Sequence, residues 1–237
     1  MIDDHFIYHS VDGRRGDHPV ITTIHRLRYQ VYVNEWGFEK PDDHPGGLEK
    51  DEHDRHSVHF YACPKGADEI IGSARIILGS DLPFPIERHF DVGGFPAEGR
   101  RGQMAEISRL AVSKEYRRRA IDRKIFGLEQ FAPNQIPRFI KNGHDFRRHC
   151  EHELVRGLYI ALYRDSKLRG LTHWYAVMAK GLYVILKRWG IAFVQIGPEK
   201  DYHGIRAPYL VSIESIERSL EKFDPVLYCE ARSGLMH

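Results

Sequence analysis

Apolar residues recur along this chain with two periods, 3.6 and 2.0, which separate helices from strands. Between Val20 and Val33, Ile24, Leu27 and Val31 stand at i, i+3 and i+7, which predicts an amphipathic helix capped near Thr22 or Thr23 and carrying Arg28 and Tyr32 one turn apart. The stretch from Asn34 to Asp54 has no sustained period and is rich in Gly, Pro, Asp and His, so it reads as a long loop. Ser57–Ala62 and Glu69–Leu78 alternate as strands around the turn residues Lys65-Gly-Ala-Asp68, forming a hairpin. Pro83, Pro85, Pro96 and repeated glycines predict an irregular excursion from Gly79 to Gly102, followed by a strand from Gln103 to Val112.

A helix with basic first turns is predicted from Lys114 to Phe126, and Pro133 and Pro137 then mark an insertion or linker around 127–150. Cys150–Asp165 is a further helix, with Leu154, Leu158, Ala161 and Leu162 on one face. Thr172–Met178 reads as a strand, and Gly181–Trp189 as a helix stopped by Gly190. Ala192–Ile196 and Ala207–Ile213 read as strands, and Ser215–Phe223 as a last helix. This order predicts an α/β fold in one domain, a mixed and largely antiparallel sheet flanked by helices.

One stretch breaks the pattern. Glu106-Ile-Ser-Arg-Leu-Ala-Val112 places opposite charges three residues apart in an apolar run, where burial requires that charges have partners. Asp51 and Asp54, at the end of the long loop, and Arg75, in the preceding strand, are the candidates. Residues three apart on a strand face opposite sides, so Glu106 and Arg109 share a site only across a bulge or by reaching round. The five residues form either an active site or an ion-pair network bracing a loop on a sheet.

With 237 residues, 42% hydrophobic, the chain is long enough for a sizeable core. A formal charge of +2 from 35 basic and 33 acidic residues excludes a global nucleic-acid signature. No apolar run reaches the ~20 residues of a membrane helix, and Met-Ile-Asp-Asp-His lacks the basic and apolar regions of a signal peptide, so a cytoplasmic protein without an integral membrane segment is expected. Cys63, Cys150 and Cys229 are widely spaced and fit reduced thiols. His53, His56 and His59, and separately His149, Cys150 and His152, match no metal-ligand spacing, and no metal is expected. Arg117-Arg-Arg119 and Ala120, after a strand and a turn, present either a phosphate-holding helix start or a solvated basic face. Trp36 either lines a groove or anchors the loop.

These residues together resemble a family. Gln103–Ile125 is similar to the central strand and pyrophosphate-binding helix of the GNAT acyltransferase superfamily, whose Arg/Gln-x-x-Gly-x-Gly/Ala signature here reads Arg117-Arg-Arg-Ala120-Ile-Asp122, with both small positions altered. Within that superfamily the chain looks most like the acyl-homoserine-lactone synthases, the N-acyl amino acid synthases and the acyltransferases associated with PEP-CTERM/exosortase systems. Leu27-Arg28-Tyr-Gln-Val-Tyr32 resembles the N-terminal Arg-x-x-Val-Phe/Tyr helix, Asp51 and Asp54 the paired aspartates, Arg75 the strand arginine, and Glu106-x-Ser-Arg109 the Glu-x-Ser/Thr-Arg motif. Trp36 stands closer to Arg28 than the tryptophan of the lactone synthases does to its arginine.

The resemblance implies a GNAT-like fold and transfer of a long acyl chain from a thioester to the amine of an amino acid or related small molecule. The donor would be acyl carrier protein, through phosphopantetheine, or coenzyme A, with no permanently bound cofactor. Glu106 would be the base, through a water, with Arg109 beside it; Leu110, Ala111 and Val112 would supply oxyanion N–H groups. Arg28, Tyr32, Trp36, Asp51, Asp54 and Arg75 would hold the acceptor and the loop. Arg117, Arg118, Arg119 and Ala120 would meet the donor's phosphate or an acidic carrier protein. A lactone-forming signal synthase and a non-catalytic acyl-binding or sensor module are the alternatives.

Overall fold

A computed structural model describes residues 5–16, 18–93, 100–113, 143–233 and 235, with backbone alone for 143–152. Its strands are β1 (Phe6–Asp12), β2 (Ser57–Pro64), β3 (Gly72–Leu78), β4 (Met104–Val112), β5 (His173–Met178), β6 (Val194–Gln195), β7 (Lys200–Asp201) and β8 (Ile205–Ser212). They form one sheet in the order β1-β2-β3-β4-β5-β8-β6, with β7 also on β8. The pairs are antiparallel except β4–β5, which is parallel. The expected mixed, largely antiparallel sheet flanked by helices is thus the fold observed.

Strand alternation sorts the side chains onto two faces. Val58 and Phe60 of β2, Ala74 and Ile76 of β3, Ala105 and Ile107 of β4, and Trp174 and Ala176 of β5 face one way. There they pack against Leu154, Leu158 and Leu162 of α3 (Gly143–Leu168), Ile216 and Leu220 of α5 (Ile213–Phe223) and Leu227 of α6 (Pro225–Arg232). The opposite face carries His59, Arg75, Glu106 and Tyr175, aligned across the sheet by the pairs His59↔Arg75, Ile77↔Glu106 and Glu106↔Tyr175. It is covered by α1 (Pro19–Tyr29), the π-helix Gln30–Glu35 that continues α1, and the short α2 (Pro85–His89).

Several elements differ from the sequence expectation. β1, before the first predicted helix, is an edge strand in which only Phe6 and Val11 are buried, so its alternation is too weak to register in the sequence. α1 begins earlier than expected, with Pro19 at its first turn and the His18 ring accepting from Val20 N–H at 3.3 Å, while Thr23 donates its hydroxyl to the Pro19 carbonyl. The irregular stretch after Gly79 contains α2, because Pro85 suits a first helical position and the Glu87 carboxylate accepts the Phe84 N–H at 2.7 Å. Of the strand expected at 192–196, Val194 and Gln195 form the ladder with β8, and the Ile196 N–H donates to the Pro208 carbonyl at 3.0 Å. α3 starts at Gly143, inside the expected insertion. The predicted basic helix with Arg117, Arg118, Arg119 and Ala120, the insertion up to 142, and the side chains of His149, Cys150 and His152 lie outside the described residues.

Candidate active site

The site forms where two strands part. β4 and β5 pair from Met104↔His173 to Ile107↔Ala176, although β4 continues to Val112 and β5 to Met178. Pairing stops at a bulge in β4: Arg75 opposes Ser108 and Ser73 opposes Ala111, so Arg109 and Leu110 together stand opposite Ala74. Arg109 takes a left-handed φ of 51°, rare for a residue with a side chain. The bulge resolves the difficulty posed by the sequence. Glu106 and Ser108 share a face by the two-residue period, and the extra residue brings Arg109 to the same cavity.

Behind the bulge lies a buried ion network. Arg28 Nε donates to Glu49 and its Nη1 to Asp54 Oδ1 at 2.7 Å. Arg75 Nη1 donates to Asp51 and Asp54 at 2.5 and 2.6 Å, its Nη2 to Asp51 at 2.9 Å, and its Nε to Ser108 Oγ at 3.0 Å. Arg109 donates from Nε to Glu49 Oε1 at 3.1 Å, and its Nη2 lies 3.4 Å from Asp51. The three-residue spacing of the aspartates has a local cause. They form a capping box on the 3₁₀ turn Glu52–His56, in which Asp51 accepts the His53 N–H at 2.9 Å and Asp54 accepts the Asp51 N–H at 2.8 Å. Burial works against the charges of Arg28, Glu49, Asp51, Asp54 and Arg109, but the opposite charges outweigh it. Asp54, flanked by Arg28, His25 and Arg75, and Asp51, beside Arg75, are held well below the usual carboxylate range. Glu49 is lowered by Arg28 and Arg109.

Glu106 stands outside this balance. It is 3% exposed, and its neighbours on that face are Ile77, Phe84, Ile86 and Tyr175. Burial pushes its carboxyl up to about 8, only partly opposed by the Ile86 N–H, which donates to Oε2 at 2.9 Å, and by Arg75 and Arg109. Oε1 has no hydrogen-bond partner among the described residues. A carboxyl in this state is suited to exchanging a proton near neutral pH.

A cavity of about 530 Å³ runs past Glu106 through the gap between β4 and β5. Arg75, Glu106, Ser108 and Arg109 line its charged part. The apolar part is lined by Val112, by Val155 and Tyr159 of α3, by Met178, by Leu182 and Ile185 of α4 (Lys180–Arg188), and by Trp189. Tyr32 also lines it and donates its hydroxyl to the Leu110 carbonyl at 2.8 Å, tying the π-helix to the bulge. Trp36 does not anchor the loop in the core: it is 55% exposed, stacks on Phe38 at 5.8 Å, and contributes to the cavity wall. Leu110 and Val112 border the cavity, and Ala111 is buried beside them.

The histidine triplet read from the sequence does not converge, since His53 and His59 are buried and His56 is exposed. His25, Asp54 and His59 do bring possible ligand atoms within 4.8 Å of one another. Asp54 already accepts from two guanidiniums, whose positive charge opposes a cation there, so the group fits a brace rather than a metal site.

Glu49 was missed by the sequence. Counting Glu106, the three arginines Arg28, Arg75 and Arg109 already faced three carboxylates in the sequence, so no imbalance of charge pointed to it. Glu39, Tyr202, His203 and Arg206, which also line the cavity, carried no pattern at all.

Residues 27–126 match the family model of the acetyltransferase (GNAT) domain. The matched stretch, which holds the ion network and the bulge of β4, makes this part of the chain similar to acyltransferases of the GNAT class. Among solved structures it is similar to TofI in a ternary complex with an inhibitor and MTA, at 19% identity and a TM-score of 0.59, over 94% of this chain and 98% of that one. It is similar as well to BjaI, a CoA-dependent acyl-homoserine lactone synthase with SAM and isopentyl-CoA, at 18% identity, a TM-score of 0.59 and coverage of 92% and 89%. FeeM, an N-acyl amino acid synthase from uncultured soil microbes, aligns at 13% identity with a TM-score of 0.56 over 92% and 96%. At these identities the likeness is one of fold. No curated protein matches the sequence. No helix among the described residues is long and apolar enough to cross a membrane.

Proposed function

We propose that this chain is an N-acyltransferase that moves a long acyl chain from a carrier-protein or coenzyme A thioester to the amine of an amino acid or a related small molecule. The observation that carries the reading is one continuous cavity, in which a buried carboxyl with a raised pKa, Glu106, stands between an ion network and an apolar channel through the sheet. The channel suits a hydrocarbon chain, and the gap between β4 and β5 suits its thioester carbonyl. Backbone N–H groups of β4 near Leu110 to Val112, past its last pair with β5, act as the oxyanion donors in this reading.

In the transfer, Glu106 takes a proton from the acceptor ammonium through a water. The free amine attacks the thioester carbon, forming the C–N bond, and collapse breaks the C–S bond. The second amine proton goes to the departing thiolate, giving amide and thiol. Arg109, Arg75, Asp51, Asp54 and Arg28 keep the loop and the bulge in register, while Tyr32 and Trp36 border the acceptor. Arg117, Arg118, Arg119 and Ala120 meet the donor phosphate or carrier protein. Organic extracts of cells expressing the chain, analysed by mass spectrometry, should contain N-acyl products missing from cells expressing Glu106→Gln; identical extracts would refute the reading.

A further inference from the structure

Three arginines line the cavity among the described residues, and two of them are committed. The Arg75 fork is occupied by Asp51, Asp54 and Ser108, and Arg109 is shared between Glu49, Asp51 and, at 3.8 Å, Glu39. Arg206, at the start of β8, is different. Its Nε donates to the His203 carbonyl at 3.3 Å and its guanidinium lies 5.2 Å over the Phe38 ring, so its base is held in place. Among the described residues neither terminal nitrogen has a hydrogen-bond partner or a carboxylate within salt-bridge distance. A guanidinium oriented through Nε, with its two-pronged end unclaimed at a cavity wall, matches a planar carboxylate.

The surroundings favour a zwitterion over a phosphate. Glu39 lies 3.9 Å from His203 Nε2 and 3.8 Å from Arg109 Nη2, so a negative charge stands close to Arg206. A phosphate dianion would be repelled there, whereas a ligand carrying both charges is served by both groups. Tyr202, whose ring lies 4.8 Å from that of His203, lines the same cavity as Arg206 and the proposed base Glu106.

We infer that Arg206 is the anchor for the carboxylate of the acceptor, and so the residue that selects amino acids over simple amines. This rests on the acyl-transfer reading and adds to it the residue that reads the acceptor's carboxylate. The acceptor's carboxylate sits on Arg206, and its ammonium points toward Glu106 and Glu39.

The experiment compares matched acceptors, the twenty proteinogenic amino acids and their carboxamides, with decanoyl-CoA and a decanoyl carrier-protein thioester as donors. Wild type should favour each acid that it acylates over its amide. Arg206→Gln should cut the acid-to-amide ratio of kcat/KM by about 10- to 100-fold, the value of a charge-assisted carboxylate contact, and Arg206→Lys should restore part of it. An unchanged ratio overturns the proposal, as does a rise in donor KM alone, which would assign Arg206 to the donor's phosphate. Equal use of acids and amides by the wild type overturns it without any variant. Saturation-transfer NMR of the same acids and amides reads binding apart from turnover. Carboxylate-dependent binding without thiol release would sink the acyl-transfer reading and keep the anchor, and turnover without carboxylate dependence would do the reverse.

Discussion

Replacing Glu106 by Gln removes the charge of the one buried carboxylate in the site that has no cationic hydrogen-bond partner among the described residues. In the folded chain this carboxyl ionises at about 8, against 4.5 for an ordinary glutamate. Folding therefore favours the protonated form. Stability from this group is complete below about 4.5 and is withdrawn as the pH rises toward about 8. Each pH unit in that window costs ~1.4 kcal/mol, so the wild type forfeits under ~1 kcal/mol at pH 5, ~3 kcal/mol at pH 7 and ~5 kcal/mol above pH 8. Glutamine stays neutral and preserves the shape. Urea denaturation of both proteins at pH 5, 7 and 8.5 should show Glu106→Gln gaining on the wild type by these steps. A difference that stays flat across the range would mean that Glu106 ionises normally, and the proton-accepting role would lose its basis. Wild-type kcat/KM should rise with pH through about 8 and Glu106→Gln should lack that limb, as expected if the free enzyme must ionise this group.

Asp54→Asn leaves Arg28 and Arg75 under-compensated in the interior and should cost about 3–5 kcal/mol in denaturant titrations; a cost below ~1 kcal/mol would refute the network as a structural unit. Asp51, Asp54 and Glu49 have depressed pKa values, so their stabilisation is present above the unfolded carboxylate range and drains away as the pH falls below about 4, which an acid titration followed by circular dichroism should record. Leu182→Trp fills the apolar part of the cavity and should shift acyl preference toward shorter chains, read as the ratio of turnover on hexanoyl and dodecanoyl thioesters; an unchanged ratio would place the chain elsewhere. Gly157→Ala sets a Cβ 2.0 Å from the Tyr8 ring and should destabilise the fold by about 1–3 kcal/mol, so a thermal midpoint equal to wild type would contradict the packing of α3 on β1.

The parts of this molecule that were legible in the sequence are those where local pattern and tertiary need coincide. Ile24, Leu27 and Val31 are buried as their helical spacing implied, and β2, β3, β4 and β5 fall within a few residues of their alternating runs. The charged set was legible because charges in an apolar run are conspicuous, and the structure does bring Asp51, Asp54, Arg75 and Arg109 together, with Glu106 on the same cavity but outside their hydrogen bonds. Glu49 was not legible, since a glutamate in a Gly-rich loop looks like any surface glutamate until the chain folds over it. β1 escaped because an edge strand buries too few residues to alternate, and α2 because its prolines read as breakers although one of them starts the helix. The bulge was anticipated only as one of two ways, the other being a side chain reaching round, for Glu106 and Arg109 to share a site. Its position, with Arg109 and Leu110 opposite Ala74, depends on pairing with β3, which local sequence does not encode.

The central claim is that this cavity joins an acyl thioester to an amine. Purified protein, given a carrier-protein or coenzyme A thioester with an isotopically labelled acyl chain and a mixture of amino acids, should release thiol only when the amino acids are present. The label should appear in an N-acyl amide by mass spectrometry, and Glu106→Gln should abolish both signals at neutral pH. Thiol release that ignores the amino acids, or no release from any donor with the label still in the thioester, would contradict the account.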